Sequence, residues 1–451
     1  MRTFVAIALC AACGGARDPL ATPPAITIER WTMPALHDRV LASGLRVIHV
    51  ENHRLPYVAI STVVGDAGSR ADGDHLGLAA IAAQVAAASA SDRDTAVLGR
   101  AGATLDTAIS ADAATFTIAG PSAHLAEDLA VIAELLHPPQ PAPSELERVR
   151  AAAIAELTES AARPRAIAAR LFERLAFGAH PYAHPAEGAA KEVAAIDLAR
   201  IVAFWAAHYR ARGATLVVVG DIDSAALDAM VDNQFAASAD TAAPPAAVIA
   251  PSPAAAQLAY VDTPGAARAI VMIGHLAAGS QDPRADATDV ADEILAGGAG
   301  SRLSTALSPI ATGVAATAWR GAWAGTWAVT TAVDAAHTGR AVAQILAAAH
   351  ALTDRELPEL DHARLQLAAD LAASFDSDEA AARMLARRIG RGESTEQIHQ
   401  LGDRIAAIDA RSVHASAETW TGLTVVIVGD WSKIAPTLPA LDLPIQRYEA
   451  P

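Results

Sequence analysis

Cysteine is nearly absent. The 451-residue chain has two, Cys10 and Cys13, both in its first segment, so the body that follows has neither a disulfide framework nor a thiolate metal site. Aromatic residues are scarce too, at 4%, and burial must come from many small contacts rather than a few large rings. Positive charge is short: 34 Lys and Arg stand against 50 Asp and Glu, a formal charge of -16. That balance excludes a nucleic-acid binder, which needs clustered cations to neutralise phosphates. It favours solubility and basic peptides as partners. Long apolar runs are also missing; Ala79 to Ala90 is interrupted by Gln84 and Ser89 and is too short to span a bilayer.

What is present is alanine, which dominates the 52% hydrophobic fraction and favours helix. The length exceeds what one core normally serves, so two domains are expected. Met1-Arg2, an apolar run to Ala12 and then Cys13-Gly14-Gly15 have the layout of a secretory signal. Ala11 and Ala12 before Cys13 resemble a bacterial lipoprotein cleavage site, which implies lipidation at Cys13 and a periplasm-facing lipoprotein of the bacterial cell envelope; an ordinary cleaved signal would instead leave a soluble periplasmic or secreted protein.

The chain repeats itself. Thr215 to Asp221 closes the first half and Thr424 to Asp430 the second, each a β-branched run ended by a Gly-Asp turn. Val58 to Gly65 likewise parallels Ala269 to Gly274, each followed by a small-residue loop. In the first half strands are expected at 44–51, 57–65, 114–120 and 215–220, with helices near 72–89, 121–137, 143–160, 164–177 and 193–208. In the second, strands are expected at 257–262, 268–274, 328–333 and 424–428, with helices over most of 335–418. Ser144 and Glu147 suggest a capping box. Helices between strands make each half an α/β (α+β) layer. The boundaries read as an N-terminal segment 1–36, a domain 37–241, a Pro/Ala-rich linker 242–256 and a second domain 257–451.

Five landmarks in order carry a resemblance: Leu41 to Val47, Gly65 to Arg70 before Gly77-Leu78-Ala79, His180-Pro181-Tyr182, Leu216 to Asp221, and Gly297 to Leu303. Together they resemble the pitrilysin/insulinase family of zinc metallopeptidases, in its short two-domain branch that is similar to mitochondrial processing peptidase. The resemblance implies two similar domains forming one half of a clamshell. Active members carry His-x-x-Glu-His directly after the Gly-Leu-Ala, because residues four apart on a helix share a face and bring two imidazoles to one zinc, with the Glu as general base. Here those positions are Ala80, Ala83 and Gln84. The third ligand of the family corresponds to Glu156, eight residues before Pro164. The Arg and Tyr with which the family's second domain clamps substrate fall on Ser308 and Ala316.

One ligand of three does not hold a catalytic zinc, so no cofactor and no catalytic residue is expected in this chain. No His is followed by Glu, which also excludes the usual zincin arrangement. His49, Glu51 and His53 could share a strand face but read better as a solvated hairpin; His180 and His184 read as a loop. Ser301 is expected to cap the helix after the Gly-rich turn, and Trp319, Trp323 and Trp327 to serve packing. The leading expectation is a non-catalytic subunit that pairs with a zinc-bearing homologue to enclose a peptide chamber. The rivals are a peptide-binding or scaffold lipoprotein without a protease partner, and an active zinc peptidase with a displaced motif.

Overall fold

The computed structural model describes residues 31–137, 141–235, 251, 255–298, 300–354, 356–418, 423–441 and 443–450. Cys13 and nearly all of the expected signal segment and linker lie outside them. Twelve strands run in chain order β1 (His37–Val40), β2 (Arg46–Glu51), β3 (Tyr57–Gly65), β4 (Thr104–Ile109), β5 (Ala113–Pro121), β6 (Ala214–Gly220), β7 (Gln257–Asp262), β8 (Arg268–Ala278), β9 (Ala311–Arg320), β10 (Ala324–Asp334), β11 (Thr424–Gly429) and β12 (Ile445–Tyr448). The helices of the first half are α1 (Leu78–Ala101), α2 (Leu125–Leu136), α3 (Pro143–Ala161), α4 (Pro164–Phe177), α5 (Ala190–Ala194), α6 (Leu198–His208) and α7 (Ser224–Gln234). Those of the second are α8 (Ala285–Ala296), α9 (Arg302–Leu307), α10 (Thr338–Asp354), α11 (Leu360–Ala373), α12 (Asp378–Gly390), α13 (Thr395–His399), α14 (Leu401–Ala407), α15 (Ala410–Ala417) and α16 (Trp431–Ile434).

The strands form two six-stranded sheets, ordered β1-β2-β6-β3-β5-β4 and β12-β7-β11-β8-β10-β9. Five strands of each repeat one topology. The central β6 and β11 pair in parallel with β2 and β7 and antiparallel with β3 and β8. The sixth strand breaks the symmetry, since β1 is antiparallel to β2 whereas β12 is parallel to β7.

Every residue of β6 and β11 is buried, so both faces of each sheet must be covered. Strand alternation assigns the faces. Val58, Ile60, Val64, Leu216 and Val218 pack with α1, α2, α3 and α6 of their own half, while Ala59, Val63, Val217 and Val219 pack under Ala381, Met384, Leu385 and Ala386 of α12. In the second sheet Val271, Ile273, Val425 and Ile427 face α8, α10 and α15, whereas Met272, Val426 and Val428 face Ile167, Leu171 and Phe172 of α4. Each half therefore lends one helix to the other half's sheet. From Met33 onward the chain is one compact unit.

A polar lock reinforces the exchange. Asp112, 5% exposed in the β4–β5 turn, accepts hydrogen bonds from Tyr182 Oη at 2.5 Å and from Ala322 N in the β9–β10 turn at 2.9 Å. Phe177 and Tyr182 stand edge-on to Trp319, with ring centroids 5.7 and 5.1 Å away.

Several expectations change. The capping box at Ser144 is absent: Pro143 occupies the first turn of α3, the N-cap is Ala142 and no side chain caps it; the box that forms pairs Ser394 with Gln397 at α13. Ser301 does cap α9, accepting from Ser304 N. The solvated hairpin does not hold for His49, which is buried with Nδ1 3.0 Å from Ser224 Oγ, because Ser224 at the start of α7 also donates to Glu51. His53 lies beyond the end of β2, beside Asp221 at 2.8 Å, which raises its pKa. The tryptophans divide: Trp327 is buried, Trp319 joins the aromatic cluster and Trp323 is exposed.

Leu385 sits at the centre of the borrowed α12 and is 0% exposed, whereas Leu365 on α11 is 50% exposed. Denaturant unfolding should show Leu385→Ala costing about 2–5 kcal/mol and Leu365→Ala within about 0.5 kcal/mol of the parent. Equal small losses would contradict the exchange as a source of stability.

Candidate functional site

The helix bearing the zinc-motif positions is held at three points. Asp72 accepts from Gly77 N and Ala79 N, both at 2.7 Å, and so supplies the missing partners of the helix start. Gly77 has φ of +89°, and a Cβ there would meet Glu187 O at 2.7 Å; only glycine fits. Further along, Trp205 Nε1 of α6 donates to Ala82 O at 3.1 Å, and Ser89 Oγ donates to the buried Glu145 of α3 at 2.7 Å. The last bond sets α3 beside α1.

This arrangement brings Ala80, Gln84 and Glu156 to one cavity of about 310 Å³, walled also by Ala153, Ala166, Ala169, Arg170, Glu173 and Glu187. Ala83 does not line it but belongs to the core, fully buried. Glu156 and Gln84 are exposed. A second cavity of about 210 Å³ adjoins through Glu173, Pro185 and Glu187 and reaches Tyr182, His184 and Trp319. Ser308 and Ala316 line neither: Ser308 ends α9 and donates to Thr305 O, and Ala316 lies in β9 opposite Val329. His180 instead caps the turn 181–183, accepting from Tyr182 N.

The donor set does not fit zinc. Alanine offers no lone pair at positions 80 and 83, the Gln84 amide is a poor ligand, and among the described residues no three His, Cys, Asp or Glu side chains are grouped to hold a metal. What the cavity has is hydrogen-bonding capacity. Burial, with the charge of Glu187 adding and Arg170 opposing, pushes Glu173 up to about 7, and Arg170 donates to Ser160 Oγ at 2.7 Å. Carboxylates, one guanidinium and an amide can bind a polar ligand but supply no metal-activated water.

Arg170, Glu173 and Glu187 were not legible as cavity residues. A signal existed in α4, where Ala166, Ala169, Arg170 and Glu173 form one helical face and Ile167, Ala168, Leu171 and Phe172 the other. The small residues on the first face leave the space.

Residues 195–369 match the family model described as the peptidase M16 inactive domain. Among solved structures, the chain is similar to the peptidase M16 inactive domain of Pseudomonas fluorescens, at 21% identity and TM-score 0.79 over 88% of this chain and 98% of that one. It is similar also to a protease of Helicobacter pylori, at 19% identity and TM-score 0.79 over 88% and 99%. A third similar chain comes from complex III2 of Candida albicans bound to Inz-5, at 15% identity and TM-score 0.76 over 89% and 97%. None of the curated protein sequences matches the chain.

If the cavity is a zinc site stripped of ligands, restoring two should restore the metal. The double variant Ala80→His/Gln84→His should bind about one zinc per chain, measured by atomic absorption after dialysis, and adding Glu156→Ala should abolish it. A double variant that folds and binds none would mean that the three positions do not converge.

Proposed function

We propose that the chain is a non-catalytic, peptidase-like member of the M16 peptidase family that works as a subunit beside a zinc-bearing homologue, the two enclosing a chamber for peptides. One observation carries the reading. A cavity wall forms where α1 meets α3, with Gln84 and Glu156 facing it, and Ala80 beside them offers no metal ligand. A protein that bound no peptide would have no use for a chamber wall; one that cut peptides alone would need the missing ligands. That a chain of similar fold belongs to complex III2 supports a role within an assembly.

In this proposal the partner supplies zinc and base, and this chain supplies wall surface and substrate selection. The acidic balance, -16 overall, favours basic peptides by long-range attraction. The signal-like N-terminus leading to Cys13 would place the assembly at the bacterial envelope on a lipid anchor; among the described residues no helix is long and apolar enough to cross a membrane.

The test is co-expression with a homologue from the same genome that carries an intact His-x-x-Glu-His. A stable complex should form, with chelator-sensitive peptide cleavage that neither chain shows alone. Failure to associate with any such homologue would refute the subunit role; binding of extended peptides by the isolated chain would then favour a scaffold.

A further inference from the structure

Helix α12 carries Arg383 and Arg387 four residues apart, hence on one face, and Arg391 follows as its C-cap residue; Arg388 lies beside them. Most cations of this region are matched. Arg383 donates to Glu379 at 2.9 Å and to Asp106 of the edge strand β4. Arg388 donates at 2.7 Å to the buried Glu393. Arg320 of β9 grips both oxygens of Asp289, at 2.7 and 2.9 Å. Among the described residues, the guanidinium groups of Arg387 and Arg391 have neither a hydrogen bond nor an ion pair.

Arg387 is exposed, and Arg391 is the more buried of the two. Its carbonyl accepts from Ser280 Oγ at 2.7 Å, and the next carbonyl, Gly392 O, accepts from Gln281 Nε2 at 2.7 Å. The backbone at 391–392 is thus tied to the loop after β8, while the side chain keeps its freedom. Burial and the neighbouring charges of Arg388, Arg320 and Arg387 push its pKa down to about 10, with Glu393 opposing. Arg387 is pushed down by burial, Arg388 and Arg383. Like charges held together without an acid are unfavourable, and the nearby acids Asp106, Glu379, Glu393 and Asp289 are already engaged.

We propose that Arg387 and Arg391 form an oxyanion-binding site, taking a carboxylate or phosphate group between two guanidinium forks. The apolar side of α12 covers the face of the first sheet opposite the one that packs against α1. Neither arginine lines the cavity at Glu156, and the site does not depend on any peptidase role.

Calorimetric titration of the full chain at low ionic strength tests it, with inorganic phosphate as one probe and a short uncharged-side-chain peptide, with a free or an amidated C-terminus, as the other. Phosphate should bind the parent protein, and Arg387→Gln and Arg391→Met should each weaken it about tenfold or more, while Arg165→Gln, an exposed arginine elsewhere, leaves it unchanged. Binding of the free but not the amidated peptide would identify a chain-terminal carboxylate as an accepted source. Phosphate should also raise the melting temperature of the parent but not of Arg391→Met, whose ligand-free form should melt no lower than the parent because an unpaired charge has been removed. Should Arg391→Met fail to fold, Arg387→Gln carries the comparison alone. Absence of binding to every probe, or equal binding in the parent and the folded variants, would overturn the proposal.

Discussion

The structure depends on the reciprocal loan of two helices. Central strands buried along their whole length, Ala214–Gly220 and Thr424–Gly429, cannot leave either face of their sheets in water. With so few aromatics, each face is closed by interdigitated Ala, Val, Ile and Leu, and the second face of each sheet is closed by a helix from the other half: α12 over the first, α4 over the second. Neither half has a complete core without the other. The Asp112 carboxylate then fixes the β9–β10 turn against the first half through Tyr182 and Ala322, and a buried acceptor so satisfied is costly to disturb.

The candidate site inherits this constraint. Helix α4 lays Ile167, Leu171 and Phe172 on the second sheet and turns Arg170 and Glu173 to the cavity beside Glu156. The cavity wall is thus tied to the packing of the opposite half, and a change in how the halves seat would be felt at Glu173. The same helix that completes a core completes the pocket. The misfit to zinc, by contrast, is local: Ala80 and Ala83 are packed into α1 and offer no metal ligand, and the fold and the cavity do not need one.

Much of this was legible in the sequence. Runs rich in β-branched residues revealed the buried strands at 57–65, 215–220 and 424–428, and the parallel between Thr215 to Asp221 and Thr424 to Asp430 announced the repeated topology. Four strands escaped. β1 and β12 are only four residues each, β4 alternates polar residues such as Asp106 with apolar ones at an exposed edge, and β9 dilutes its Thr, Val and Trp with four alanines and Gly313. The convergence of Ala80, Gln84 and Glu156 was readable only through the family resemblance, since nothing in local periodicity connects residues so far apart. Arg170 and Glu173 stayed hidden because their role depends on which face of α4 is borrowed by the other sheet, a tertiary fact.

A peptidase-like fold without metal chemistry is the central claim. Metal analysis of the purified protein, paired with a peptide-cleavage assay with and without chelator, tests that claim most directly. The prediction is no stoichiometric zinc and no chelator-sensitive cleavage by the isolated chain; one zinc per chain accompanied by such cleavage would contradict it.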